Sequence, residues 1–175
     1  MKTFHILFFL CSSICYGQGL GDFHSELAQL IKQNQGSSIV KNKIYFGVDS
    51  SRENAAETVI GKKLPYDLYP RMAFLDRTLK GEPSCVMSFD MAGVSEIIVN
   101  HLNKREGMDY RIDIYMKPDY LSVGYYGPDL PIQLVNVINL YGTFDLVTAN
   151  KIRKMLITLA VHNGASLISP DARKN

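Results

Sequence analysis

A chain of 175 residues, 46% of them hydrophobic, is long enough to bury one conventional core and short for two. Its 19 Lys and Arg stand against 17 Asp and Glu, a formal charge of +2 that argues against the clustered basic face of a nucleic-acid binder. With three cysteines in all, it is also no disulfide-dense scaffold.

The chain opens with Lys2 and His5, an apolar run from Ile6 to Leu10 extended through Cys11 to Ile14, and the small residues Gly17 and Gly19. A short positive region, a hydrophobic region and a small-residue cleavage site are the parts of a secretory leader. The run is too short to span a bilayer, which takes about 20 apolar residues. Lipidation at Cys15 is disfavoured by the bulk of Ile14 before it. Cleavage is expected after Gly17 or Gly19, so residues 1–19 are set apart as a signal peptide and 20–169 as a single globular domain. The mature protein is expected to be soluble and exported, to a periplasm or outside the cell. Loss of the leader removes Cys11 and Cys15 and leaves Cys85 alone, so no intramolecular disulfide is expected.

Phe23, Leu27, Leu30 and Ile31 fall at helical spacing after Asp22, a candidate N-cap, and Gly36 is the expected stop. Ile39 to Val48 is rich in β-branched and aromatic residues and predicts a strand that turns at Asp49-Ser50. Ser50 and Glu53 have capping-box spacing, followed by Ala55, Ala56, Val59 and Ile60 up to Gly61, which makes a first βα unit. Pro70 suits the first position of a helix carrying Met72, Leu75 and Leu79 and ending at Gly81. Cys85 to Phe89 predicts a buried strand, with Ser88 or Asp90 capping a helix that carries Val94, Ile97, Ile98 and Leu102. That makes a second βα unit.

From Tyr110 the period changes to two. Tyr110, Ile112, Ile114 and Met116 alternate with Arg111, Asp113 and Tyr115, and Leu121, Val123 and Tyr125 repeat the pattern, which predicts an antiparallel hairpin. Leu130 to Tyr141 is apolar and inclines to strand. Thr143 is the expected cap of a long helix carrying Val147, Ile152, Met155, Leu156 and Leu159, ended by Asn163-Gly164. Its basic residues Lys151, Arg153 and Lys154 are expected to form a solvated face. Ala165 to Ser169 is a candidate edge strand, and the tail over 170–175 is expected to be flexible. The fold class is therefore α/β or α+β: a mixed sheet of about five strands with two βα units, a C-terminal antiparallel hairpin and packed helices.

Asp49 and Ser50 stand where a helix N-terminus presents unpaired N–H groups to a carboxylate or phosphate, and Ser88 and Asp90 hold the same place after the next predicted strand. Two such turns on adjacent parallel strands face one crevice. Cys85 is a candidate thiol nucleophile if His101 or His162 approaches it as base, but Cys-Val-Met-Ser-Phe is the pattern of a buried strand, where cysteine acts as a small hydrophobe. His24, His101 and His162 have no close ligand-pair spacing, so no metal site and no cofactor are expected. Tyr110, Tyr115, Tyr120, Tyr125 and Tyr126 gather on or near the predicted hairpin, as strand residues or as an interaction surface.

The segment Arg71-Met-Ala-Phe-Leu75 to Leu79-Lys80-Gly81-Glu82, followed by Cys85, resembles a helix and buried strand of periplasmic solute-binding proteins that take amino acids and other small polar ligands. Lys117-Pro118-Asp119-Tyr120-Leu121-Ser122 is similar to the segment at which that family's chain enters its second lobe. The resemblance implies a reduced, single-lobe binding protein. The resulting expectation is a non-catalytic binder of a small polar or anionic molecule through Asp49, Ser50, Arg71 as counter-charge, Ser88 and Asp90. Its rivals are an exported thiol hydrolase built on Cys85 and a secreted inhibitor or immunity-type domain that engages a partner protein through Tyr120 and Tyr125.

Overall fold

The computed structural model describes residues 22–34, 40–46, 71–79, 82–102, 109–120, 122–125 and 133–168. The expected leader, the predicted helix after Ser50, the Asp49-Ser50 turn and the tail lie outside these residues. The described part combines helices with antiparallel sheet, the mixed class expected of the sequence. In chain order it holds α1 (22–33), β1 (Val40–Phe46), β2 (Met72–Leu79), β3 (Glu82–Asp90), a single 3-10 turn (Met91–Gly93), β4 (Val94–His101), β5 (Tyr110–Met116), β6 (Ser122–Tyr125), β7 (Gln133–Leu134), β8 (Val137–Gly142) and α2 (Leu146–His162). No helix among the described residues is long and apolar enough to cross a membrane.

Two of the expected helices are strands. Residues 72–79 form β2, with Ala73 and Leu75 buried alongside Ile44 of β1 and Met87 and Phe89 of β3. Residues 94–101 form β4, where the β-branched Val94, Ile97, Ile98 and Val99 lose less side-chain freedom on a pleated surface than against a helical turn. The 94, 97, 98, 102 spacing was compatible with a helix, but Ile97 and Val99 both sit opposite core residues of β5. Asp90 does cap a helix, though only the 3-10 turn, by accepting from the Ala92 N–H. The second βα unit is thus a strand, a tight turn and another strand.

The sheet pairings explain why the expected hairpin is also absent. One sheet has the order β1-β2-β3-β6-β7 and the other β4-β5-β8, and every pairing is antiparallel. β3 leads through the 3-10 turn into β4, β5 leads through 117–121 into β6, and β7 leads through Val135 and Asn136 into β8. Their order is the same in both sheets, so the six strands are three long strands broken at one level. Strands β5 and β6 are two halves of one bent strand, not a hairpin. The breaks are laced together by Lys117 N–H to Gly93 C=O at 2.9 Å, Met116 N–H to Asn136 C=O at 2.9 Å and Val135 N–H to Ser122 C=O at 3.1 Å. We refer to this level as the seam. These three bonds keep their own backbone groups paired where the chain passes from one sheet to the other.

The apolar faces of both halves join a single core. Ile112, Ile114, Ile138 and Leu140 have no exposed surface, and each such side chain contributes about 1.5–3 kcal/mol by leaving water. Helix α2 adds the stripe Ala149, Ile152, Leu156 and Leu159, and α1 adds Leu27 and Ile31. Asp145, rather than Thr143, caps α2, accepting from the Thr148 N–H at 2.6 Å; Thr143 instead bonds the Asn34 carbonyl of the segment after α1. At the other end Gly164, with φ +92°, lets Ala165 N–H reach Ala160 C=O and Gly164 N–H reach Val161 C=O, a Schellman stop. Residues 165–168 form no strand, but Ile168 N–H bonds Ser95 C=O on the free edge of β4.

Candidate functional site

Two groups of buried polar side chains lie outside the apolar core, and they differ in how completely their hydrogen bonds are used. The first stands at the seam. The alternation of β3 puts Ser88 and Asp90 on one face of the strand, and the 3-10 turn after Asp90 lets its carboxylate fold back on the Ala92 N–H at 2.9 Å. Its other oxygen lies 3.5 Å from Arg71 Nη2, just before β2. Asp90 is buried, whereas the Arg71 side chain is 39% exposed. The residues expected to act as counter-charge and as second-turn ligand therefore meet.

Beside this pair two polar atoms have no partner: Arg71 Nε and Ser88 Oγ are each shielded from water and unbonded, and Ser122 Oγ is unbonded as well, on the other side of the sheet. Ser122 begins β6 directly opposite Phe89, between Ser88 and Asp90 in sequence, with its own side chain on the other face from theirs. Leaving such a group unpaired costs about 1–3 kcal/mol. The turn over Lys117–Tyr120 closes the seam, with the Tyr120 ring against the bare backbone of Gly93, where a Cβ would lie 2.3 Å from Tyr120 Cβ. The Lys117 ammonium lies 5.8 Å from the centre of the same ring. The atoms left to spend beside the Arg71–Asp90 pair are a guanidinium N–H and the Ser88 hydroxyl, which suits an oxygen-bearing, anionic partner.

The second group spans the three-stranded sheet and was not foreseen. Asp113 of β5 is buried, and its carboxylate accepts from Asn100 Nδ2 at 2.7 Å on β4 and from Asn139 Nδ2 at 2.6 Å on β8. Arg111, two residues away on the same face, donates from Nη2 to Oδ2 at 2.7 Å, while its Nε lies 2.7 Å from Oδ1 as an ion pair without a hydrogen bond. The Nη2 hydrogen bond to Asp113 is the main reason the Arg111 guanidinium is held even more firmly protonated than usual. The guanidinium of Arg77 on β2 lies 5.0 Å from the ring centre of Tyr141, and that of Arg111 lies 5.8 Å from it. Both Asp113 oxygens accept from donors on their own or neighbouring strands, so the group ties three strands together, and Arg111 Nε, which already faces Oδ1, is its one unbonded N–H. Arg111, Asp113 and Tyr115 alternate with the apolar residues of a strand expected to have one buried face, and Asn100 falls within an expected helix, so nothing in the sequence signals their convergence.

The remaining candidates are apart. Cys85 is buried on the core face of β3. His101 ends β4, packed edge-on against Tyr110 at 5.2 Å, and His162 lies in the last turn of α2. His24 stacks on Phe46 at 5.0 Å. Among the described residues no three His, Cys, Asp or Glu side chains are grouped to hold a metal ion. The helical face expected to be solvated is divided: Lys151 pairs with Glu26 at 3.0 Å and Lys154 is exposed, while Arg153 reaches the Ile97 carbonyl at 2.7 Å. Comparison with family models, curated proteins and solved structures returned no match.

Proposed function

We propose that this protein is an exported, non-catalytic binding domain for a small anionic or polar ligand held at the seam between the two sheets. Export rests on the leader-like sequence Lys2 to Gly19. The observation that carries the binding reading is the unspent hydrogen-bonding capacity of Arg71 Nε and Ser88 Oγ beside the Arg71–Asp90 pair. Asp90 anchors the guanidinium from one side, which fixes its direction without using Nε. A carboxylate or phosphate oxygen is the partner that suits these donors, since guanidinium N–H groups match such oxygens in geometry and charge. The burial of Cys85 in the apolar core favours a packing role over a nucleophile, and so favours binding over hydrolysis.

A thermal-shift screen of the purified mature protein against amino acids, dicarboxylates, nucleotides, sugars and inorganic phosphate tests this reading. A ligand at 100 times its dissociation constant stabilises the fold by about 2.7 kcal/mol. The expected result is a shift with one anionic class that disappears in Arg71→Met. A shift that survives in Arg71→Met moves the site elsewhere, and no shift with any class turns the search to a protein partner, with Tyr120 as the first residue to change.

A further inference from the structure

We infer that β4 is a self-pairing edge held shut by Arg153 and Ile168, and that its occupant when opened is β4 of a second copy of this chain. Strand β4 is bonded to β5 on one side and ends the three-stranded sheet on the other. On that free edge two carbonyls are already taken, each by a group from far along the chain. Ser95 C=O accepts from Ile168 N–H at 2.8 Å, beyond the end of α2, and Ile97 C=O accepts from Arg153 Nε at 2.7 Å, on α2 itself. Arg153 is half-buried in doing so, unlike the exposed Lys151 and Lys154 beside it. The opposite edge of the same sheet is closed in the same way, by Arg77 Nη2 on the Asn139 carbonyl of β8. An arginine on each outer edge is the device expected where open pairing must be prevented.

Since the carbonyls of Ser95 and Ile97 point away from β5, those of Val99 and His101 and their N–H groups lie on the same edge. No described residue bonds to them. Among the described residues the closure therefore covers one half of β4 and leaves the other half available. The sequence Val-Ser-Glu-Ile-Ile-Val-Asn-His has a single carboxylate, no Pro and no Gly, and a run of three β-branched residues, which is the composition that pairs with itself. Antiparallel pairing centred on Ile98 sets Ile97 opposite Val99 of the second copy, each offering both backbone groups. It sets Glu96 opposite Asn100, so no like charges oppose. The product is one continuous six-stranded sheet from two copies of this three-stranded one.

The test compares the full mature chain with the Arg153→Met, Ile168→Pro double variant. Methionine keeps an aliphatic stem without the N–H, and proline removes the N–H at an exposed residue outside any helix. Sedimentation and amide hydrogen exchange are read at low and high protein concentration. The wild type is expected to stay monomeric with fast exchange at Val99 and His101. The double variant is expected to dimerise, with exchange at those two amides slowed about tenfold or more at the higher concentration. Unchanged fast exchange at both concentrations in a folded variant overturns the inference. So does slow exchange that is independent of concentration, which means that another part of the same chain occupies the edge. So does a wild type that already protects both amides as a dimer. If near-UV circular dichroism shows the double variant unfolded, Ile168→Pro alone is judged by the same two amides.

Discussion

Ser88 and Asp113 are both buried polar residues on strands, yet the account gives them opposite roles. The Ser88 hydroxyl has no partner, so Ser88→Ala removes an uncompensated cost and is expected to raise stability by about 1 kcal/mol in urea unfolding while weakening any anion response. Asp113 satisfies Arg111, Asn100 and Asn139 together, so Asp113→Ala strands a guanidinium and two amides and is expected to lower stability by about 3 kcal/mol in the same measurement. A loss of stability in Ser88→Ala would mean that the hydroxyl has a partner and is structural. His24 provides a pH effect. Burial, and to a lesser degree the nearby His162, depress its pKa below 6.5, so the folded state favours the neutral ring stacked on Phe46. Between 6.5 and that lower value the unfolded chain binds the proton and the folded chain does not. Stability is therefore full above about 6.5 and declines as the pH falls below it. Denaturation midpoints at pH 7.5 and 5.5 are expected to converge in His24→Phe; an unchanged pH dependence in that variant would assign the effect to another group.

At the scale of elements, what the sequence made legible depended on whether local preference and tertiary position agreed. Helix α2 was readable because Ile152, Met155, Leu156 and Leu159 follow its period and Asn163-Gly164 ends it, and the core uses that same face. β5 was readable because Ile112 and Ile114 alternate with polar residues. β2 and β4 depart from the expected helices because three apolar residues in the one and four in the other fit either period, and the neighbours that decide between them are far away in sequence. The seam was invisible for a further reason: a long strand broken in the middle looks like two strands and a turn, which is also the signature of a hairpin. The predicted site fared similarly. Arg71, Ser88 and Asp90 were selected as parts of a βα crevice, and they gather at a strand break instead. The break itself makes a testable demand on Gly93. Adding a Cβ there collides with Tyr120 at its own Cβ, which cannot swing aside, so Gly93→Ala is expected to cost about 1–3 kcal/mol. Tyr120→Gly in the same chain should recover most of that loss, and a failure to do so would place the constraint in the backbone instead.

At the scale of the molecule, three bent strands fold one antiparallel arrangement into two sheets around a shared core. The seam brings Arg71, the 90–93 turn and the 117–120 turn together, although they are separated in sequence. It is where main-chain pairing must be interrupted, so it is also where polar side chains can be buried without all being used. The proposed binding role follows from that single physical fact. Its most direct measurement is the Nε–Hε resonance of Arg71 in a proton–nitrogen correlation spectrum, titrated with the small carboxylates and phosphate. The account predicts that this resonance shifts with one anionic ligand, together with the backbone amides of Ser88 and Asp90. A resonance that stays fixed across the whole series, while other parts of the spectrum move, would contradict it.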